Sequence, residues 1–79
     1  MNFFAVIENI KLILKKNHHE SIAQELLELQ LAGGTGGEVL ISVCSKLIEI
    51  RKTLPNVYRI ISKDAEELIN YAKSIDLYP

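Results

Sequence analysis

The residues that could support chemistry in this chain are a cluster of glycines, two adjacent histidines and a single cysteine. All four glycines lie within the stretch LAGGTGG, at positions 33, 34, 36 and 37. A phosphate-binding P-loop follows a β-strand and needs Lys and then Ser or Thr after its last glycine. Here Glu38 and Val39 occupy those two positions and a predicted helix precedes the glycines, and no βαβ unit is present for a dinucleotide fingerprint. We therefore expect a turn between two helices and no phosphate site.

The same stretch carries the signals of one helix ending and the next beginning. Gly33 suits the left-handed position that follows many helices, and Thr35 with Glu38 has the spacing of a capping box. Gly36 and Gly37 would then lie in the first turn, where each glycine costs about 1 kcal/mol relative to alanine. Such a cost indicates either close backbone packing or the approach of a partner chain, and the sequence leaves both open.

The histidines and the cysteine do not form a recognisable site. His18 and His19 would point about 100° apart on a helix, and beyond Glu20 no further residue at ligand spacing completes a metal site. Cys44 falls in the middle of an apolar helical arc, which predicts a buried thiol and not a nucleophile. No spacing indicates a catalytic triad or a carboxylate pair. We therefore expect no catalytic residues, no metal, no cofactor and no enzymatic activity.

Apolar residues recur at helical spacing in the first half of the chain and predict two short amphipathic helices. The first begins after Asn2 as N-cap, and the second begins at a capping box formed by Asn17 and Glu20 and runs to about Leu31. The predicted buried residues are Phe3, Val6, Ile7, Ile10, Ile13 and Leu14 in the first helix, and Ile22, Ala23, Leu26, Leu27 and Leu29 in the second.

The second half of the chain predicts one or two further helices. A third helix runs from Glu38 to Leu54, and Pro55 is acceptable as the first residue of a fourth. Arg51 projects toward the third helix's apolar arc, where an arginine usually pairs with a carboxylate or extends past the core. VLISV could be a short buried strand, but the continuation CSKLIEIRK keeps the helical period and favours a helix. VYRIIS could be extended, and a break near residues 62–64 is a further alternative. The predicted apolar arcs consist of Leu40, Ile41, Val43, Cys44, Leu47, Ile48, Ile50 and Leu54, and of Val57, Ile61, Ala65, Leu68, Ala72 and Ile75. The fold class that follows is an all-α, compact bundle of three to four short amphipathic helices.

Length and composition exclude several classes of protein. A chain of 79 residues forms a single domain, residues 1–79. Its net charge of −1 provides no positive field for nucleic acid, so we expect no nucleic-acid partner. The first residues are apolar and the basic residues follow, which is the reverse of a signal peptide, and no segment has the roughly 18 uninterrupted apolar residues of a membrane span. One cysteine forms no disulfide framework. We expect a cytoplasmic protein without a membrane partner.

Two apolar residues lie on the polar side of the first helix. Phe4 and Leu12 fall among Glu8, Lys11 and Lys15, where an isolated monomer usually places polar groups. Because 48% of the chain is hydrophobic, part of this apolar surface could be buried against a second copy. Phe4 and Leu12 are therefore candidate contacts in a homo-oligomer.

Charge is distributed unevenly along the sequence. No Lys or Arg occurs between Asn17 and Ser45, whereas four glutamates do. Complementary fields speed and select protein encounters, so this segment predicts a surface that binds a basic protein. The candidate partner-binding residues are Glu20, Gln24, Glu25, Glu28, Gly34, Thr35, Gly36 and Glu38.

The chain also resembles small bacterial immunity proteins of toxin and immunity pairs, including those of contact-dependent growth inhibition. The resemblance covers residues from about 10 to 75 and is carried by two short amphipathic helices, the turn GGTG followed by an apolar run, and a last helical stretch opening on Asn56. The family pattern runs G-G-M-G-S, an apolar residue and N-D-L. This chain has Thr35 for the Met, Gly37 for the Ser and no Asn-Asp pair.

The resemblance implies a cytosolic protein that binds and blocks a cognate toxin, and acidic surfaces suit this role because many such toxins are basic nucleases. The first functional hypothesis is therefore a non-catalytic, immunity-type inhibitor of a basic toxin domain. The alternative is a small structural or regulatory module that acts through homo-oligomerisation.

Overall fold

The computed structural model describes residues 1–79 and contains four α-helices joined by short connections. They are α1 (Phe3–Lys16), α2 (Glu20–Ala32), α3 (Gly36–Thr53) and α4 (Pro55–Ser74). The all-α prediction is confirmed. The strand alternatives for VLISV and VYRIIS and the break near residues 62–64 are excluded, because α3 and α4 run without interruption through them.

The helices form a ring in which each one packs against its two neighbours. Both α1 and α3 pack against α2 and α4, so α1 and α3 lie diagonally opposite one another. The side-chain amide of Asn9 donates to Asp64 Oδ2 at 2.5 Å, and the rings of Phe3 and Tyr71 lie 6.2 Å apart. Phe3, near the start of α1, contacts Tyr71 near the end of α4, and Asn9, further along α1, contacts Asp64, which is earlier in α4. The two helices are therefore antiparallel. The arrangement is an antiparallel four-helix bundle.

This topology gives the bundle two distinct ends. The α1–α2 and α3–α4 connections lie at one end. The other end, which we call the glycine-loop pole, holds residues 33–35 between α2 and α3 together with the first turn of α1 and the last turn of α4. The two helices that carry the predicted site, α2 and α3, are joined at this pole, and Glu20 lies at the opposite end of α2.

Each helix contributes a stripe of apolar residues to one core. The buried apolar residues are Ile7, Ile10, Leu14, Ala23, Leu26, Val39, Leu40, Val43, Cys44, Leu47, Ile50, Tyr58, Ile61, Ala65, Leu68, Ile69 and Ala72. The predicted stripe of α1 is confirmed, since its remaining members, Phe3, Val6 and Ile13, pack against this core. Four predicted core residues are not part of it: Leu27 and Ile41 are half-buried without joining the cluster, Leu54 is 44% exposed and Ile75 is 43% exposed.

Side-chain caps begin two of the helices as predicted. Asn2 Oδ1 accepts a hydrogen bond from the Ala5 backbone at 3.3 Å, and Thr35 Oγ1 accepts one from the Glu38 backbone at 3.1 Å. The Glu38 carboxylate accepts from the Thr35 hydroxyl at 3.4 Å, and not from the Thr35 backbone as in a full capping box. The predicted N-cap Thr35 is confirmed, but the Glu38 carboxylate bonds to the Thr35 hydroxyl and not to the Thr35 backbone N–H.

The predicted cap of α2 is wrong. Asn17 lies at the end of α1, where its side-chain amide donates to the Ile13 carbonyl at 2.8 Å. α2 begins after His19, which makes no side-chain capping bond. An asparagine beside a helix boundary can satisfy carbonyls of the preceding helix as readily as N–H groups of the following one.

The left-handed backbone positions also differ from the prediction. Gly33 is extended, with φ −70° and ψ 136°, whereas His18 and Asp76 have φ 64° and 59°. The residues that follow them, His19 and Leu77, donate their backbone N–H groups to the carbonyls of Leu14 and Ala72, each at 2.8 Å. These six-residue closures are Schellman motifs, formed here without glycine.

None of the four helices combines the length and the apolar character that crossing a membrane requires.

Candidate protein-binding surface

All eight candidate partner-binding residues are exposed, and they fall into three groups. Glu20, Gln24 and Glu28 lie on the side of α2 that faces solvent. Glu25 lies on the same helix but is turned toward α3. The last four, Gly34, Thr35, Gly36 and Glu38, form the loop at the carboxyl end of α2 and the first turn of α3.

The solvent-facing side of α2 carries both acidic and apolar residues. At 100° per residue, five side chains fall within an arc of about 100°; we call this arc the outer face of α2, and it consists of Glu20, Gln24, Leu27, Glu28 and Leu31. Of the two buried residues of α2, Leu26 lies on the opposite side of the helix and Ala23 borders the outer face beside Leu27. Within the face, the Gln24 amide donates to the Glu28 carboxylate at 3.5 Å, and neither Glu20 nor Glu28 forms an ion pair.

Glu25 lies at the α2–α3 contact, where a lysine neutralises it. Lys46 Nζ lies 3.4 Å from Glu25 and 2.8 Å from Glu49. The hydrogen bond to Glu49, with a further contribution from Glu25, raises the pKa of Lys46. Lys46 is therefore held between two carboxylates and forms no ion pair with Glu20 or Glu28 on the outer face of α2.

A shallow groove of about 250 Å³ lies beside this ion pair. Its lining consists of Leu29, Ser42, Ser45, Lys46 and Glu49. Small-molecule sites are usually concave, roughly 300–1,000 Å³ in volume and mainly apolar. The groove is open and smaller, and four of its five lining residues are polar, so its geometry does not favour a small-molecule ligand.

The glycine loop is shaped by contacts within the chain. A Cβ atom at Gly33 would collide with Val39, whose backbone N and Cα lie 3.3 Å from that position. At Gly36 and Gly37 a Cβ would meet Phe3 Cζ at 3.5 Å and Leu77 Cδ1 at 3.4 Å, which are ordinary contacts. Close backbone packing thus accounts for Gly33 but not for the glycines at 36 and 37, which remain exposed or half-exposed.

Leu31 belongs to this surface although it is not among the binding residues predicted from the sequence. Its side chain is 76% exposed, more than any other large apolar residue of the chain. The sequence does indicate this exposure, because the helical step places Leu31 beside Glu28 and Gln24 and away from Leu26. The same step places Leu27 on this face.

The two candidate oligomer contacts are also exposed, but they are well separated along α1. Phe4 is 44% exposed and its ring stacks on Phe3, with ring centroids 4.6 Å apart. Leu12 is 54% exposed and lies two helical turns further along, about 12 Å away at 1.5 Å per residue. Lys11, which the sequence grouped with basic surface residues, is buried instead: its ammonium donates to Gln30 at 2.7 Å and lies 2.6 Å from Glu8.

The remaining chemically interesting residues are accounted for by packing. Cys44 is fully buried, and burial raises the pKa of its thiol to about 11. Arg51 lies 3.4 Å from Glu66, as expected for an arginine that pairs with a carboxylate. Glu66 also accepts a hydrogen bond from Tyr58, and burial, together with that bond, raises the pKa of Tyr58 to about 12.

The histidines lie in the α1–α2 connection, with His18 exposed and His19 half-exposed. No group of three or more His, Cys, Asp or Glu side chains is arranged to hold a metal ion. Comparisons with models of protein families, with curated protein sequences and with solved structures found no match.

Proposed function

We propose that this protein is a non-catalytic binding module that recognises a basic protein domain through its acidic α2–α3 segment. In its sharpest form, the proposal is an immunity-type inhibitor in the bacterial cytoplasm that binds and neutralises a cognate toxin domain. The observation that carries it is that Glu20 and Glu28 on α2 are exposed and form no ion pair, with Glu38 exposed beside the loop.

The distribution of charge supports a basic partner. Residues 17–45 contain four glutamates and no Lys or Arg, and Lys46 is occupied by Glu25 and Glu49. An uncompensated field of one sign attracts a partner of the opposite sign and raises the rate of encounter, most strongly at low ionic strength. The acidic segment therefore suits a partner with a basic surface.

The glycine loop supports the same surface. Gly34, Thr35 and Gly36 are exposed and present backbone that is not covered by side chains, so a partner can approach the main chain closely. The loop adjoins the carboxyl end of α2, which makes the outer face and the loop one continuous region.

A second candidate function is a structural or regulatory module that acts as a homo-oligomer. Eight large apolar side chains are exposed, including Phe4 and Leu12. Scattered exposed apolar residues are normal on monomers, so this candidate depends on their forming a continuous interface. A monomeric mass by light scattering at tens of micromolar would exclude a tight assembly.

The proposed function is tested by reversing charge on α2. The chain is co-expressed with the basic C-terminal domain of a large secreted protein encoded beside its gene, and the association rate is measured in 20 mM and 500 mM salt. We expect Glu20→Lys with Glu28→Lys to lower the association rate at least about tenfold at low salt and much less at high salt.

The matched control is Glu67→Lys, an exposed carboxylate on α4 that forms no ion pair and lies outside the acidic segment. It changes the net charge without changing the proposed surface. If the control slows association as much per charge as the α2 variants, or if no complex forms with the neighbouring domain, the proposal is wrong.

A further inference from the structure

We infer that the outer face of α2 docks a positively charged amphipathic segment of a protein partner, with Leu31 as the apolar anchor. This inference rests on the proposed function and narrows it to one helix face and one kind of segment. It differs from the proposal in requiring apolar contact as well as charge.

Leu27 and Leu31 are the two apolar side chains of the outer face of α2. Leu31 is 76% exposed, and half-buried Leu27 is not among the side chains that pack against the core. Residues four apart are neighbours on a helix surface, so the two leucines form one apolar strip. Neither contributes to the core, and exposed apolar surface with a polar rim is typical of interaction sites.

Carboxylates of α2 form the rim of that apolar strip. Glu28 is a surface neighbour of Leu31, three residues further along the helix, and Glu20 lies on the same face toward the amino end of α2. Neither carboxylate has an ion-pair partner, and Lys46 is held by Glu25 and Glu49. The complementary surface has apolar side chains flanked by Lys or Arg, which is the pattern of a basic amphipathic helix.

The same charges exclude two other occupants. A two-fold contact between copies sets the same patch against itself, so Glu20 and Glu28 of one copy would face the carboxylates of the other. A bilayer surface with anionic lipids would also be repelled by these carboxylates. A cationic segment is the occupant that satisfies both the leucines and the glutamates.

The experiment uses the full chain and three synthetic 18-residue helical peptides. The first has Leu at i, i+3, i+4 and i+7 and Lys elsewhere, the second replaces each Leu with Ser, and the third replaces each Lys with Glu. Binding is measured by fluorescence anisotropy at 50 mM and 300 mM salt, and the binding face is mapped by amide shifts in ¹H–¹⁵N spectra. We expect the Lys/Leu peptide to bind at least about tenfold more tightly than either control peptide, with shifts concentrated on α2.

Two substitutions with matched controls separate the apolar contribution from the charge contribution. We expect Leu31→Gln and Glu28→Gln each to weaken binding of the Lys/Leu peptide at least about fivefold. The controls are Leu12→Gln, an exposed leucine on α1, and Glu67→Gln on α4, and each should change binding by less than about twofold. All four positions are exposed, so the variants should fold, which circular dichroism checks.

The outcomes distinguish this inference from the proposed function. If the Lys/Ser peptide binds as tightly as the Lys/Leu peptide and Glu28→Gln weakens binding while Leu31→Gln does not, the inference is overturned and the acidic-surface proposal stands. If the controls weaken binding as much as the α2 variants, both are contradicted. The absence of binding by every peptide also overturns the inference, while the proposed function is judged by complex formation with the folded basic domain.

Discussion

At the scale of single residues, the backbone conformations at the helix ends carry the clearest physical information. His18 and Asp76 occupy the left-handed region, with φ 64° and 59°. That region costs a residue with a side chain roughly 1–2 kcal/mol. Each conformation lets the next N–H reach back to a carbonyl near the end of its helix, at 2.8 Å in both cases, so the bonds gained at the helix end offset the strain.

Gly33 differs from His18 and Asp76, because its backbone conformation is unstrained but its surroundings leave no room for a side chain. We predict that Gly33→Ala destabilises the protein by about 1–3 kcal/mol, since the added methyl would overlap Val39 and force a shift of the backbone at the start of α3. Thermal and urea unfolding followed by circular dichroism measure this change.

Gly36→Ala is the matched control for Gly33→Ala. At Gly36 the added methyl would meet only Phe3, at 3.5 Å, and alanine is the better helix former. We expect a stability equal to or greater than that of the wild type. Equal losses in the two variants would show that the loop requires glycine for a reason other than contact with Val39.

At the scale of helix pairs, α1 and α2 are joined by a buried lysine. The Lys11 side chain is 9% exposed and that of Glu8 is 57% exposed, and Gln30 of α2 accepts a hydrogen bond from Lys11. Hydrogen bonding from Lys11, with a further contribution from Gln30, lowers the pKa of Glu8. The charged form of Glu8 is therefore favoured in the folded state.

This pair predicts a specific pH dependence. A lowered pKa in the folded state gives stability that is present above the unfolded pKa and is lost as pH falls through the folded pKa. We expect Glu8→Gln to cost about 0.2–1 kcal/mol at pH 7, because Glu8 is exposed and partly screened, and to cost progressively less below about pH 4.5. Urea unfolding at pH 7, 4.5 and 3 measures the difference.

The control for this prediction is a double-mutant cycle with Lys11→Met, which keeps an unbranched side chain at the buried position. In that background Glu8→Gln should have little effect at any pH, because the partner is absent. An effect of Glu8→Gln that persists unchanged at pH 3 would contradict the assigned role.

The helices could be predicted from the sequence because their apolar residues repeat with the helical period. The stripe of α1 from Phe3 to Leu14 and the start of α4 at Pro55 required no knowledge of tertiary contacts. The Asn17 cap was predicted wrongly, because its side-chain amide bonds to the end of α1 and local spacing does not reveal which helix it serves.

The candidate surface was harder to predict from the sequence, because the packing of neighbouring helices determines it. Charge alone predicted that Glu20 and Glu28 would be exposed. The pairing of Glu25 with Lys46 joins residues on different helices, whereas the position of Leu31 away from Leu26 follows from the helical step alone. No local pattern could separate the neutralised glutamate from the unpaired ones.

At the scale of the whole molecule, the single core determines access to the only thiol. Cys44 lies at the contact of α3 and α4, where its thiol is 3.9 Å from the Leu68 carbonyl. A reagent reaches this thiol only when the bundle opens. Modification of Cys44 therefore reports the opening of the core as a whole.

We predict that a thiol reagent such as 5,5′-dithiobis(2-nitrobenzoic acid) modifies the native protein at least about 100-fold more slowly than the unfolded chain. A small core that supplies about 3 kcal/mol of stability corresponds to this factor. The rate should rise with urea in parallel with the loss of helical signal, and Cys44→Ala should give no reaction. Rapid stoichiometric modification without denaturant would contradict the burial of Cys44.

The ring of helices also determines the order in which the chain can assemble. Connections of three residues, three residues and one residue let α1–α2, α2–α3 and α3–α4 pair with little loss of chain entropy. Only the contact between α1 and α4 requires the chain to close a loop that spans two whole helices. Short-range contacts, such as those between consecutive helices, favour fast folding. The Asn9–Asp64 bond therefore belongs to the contact that completes the bundle, and weakening it should accelerate unfolding more than it slows folding.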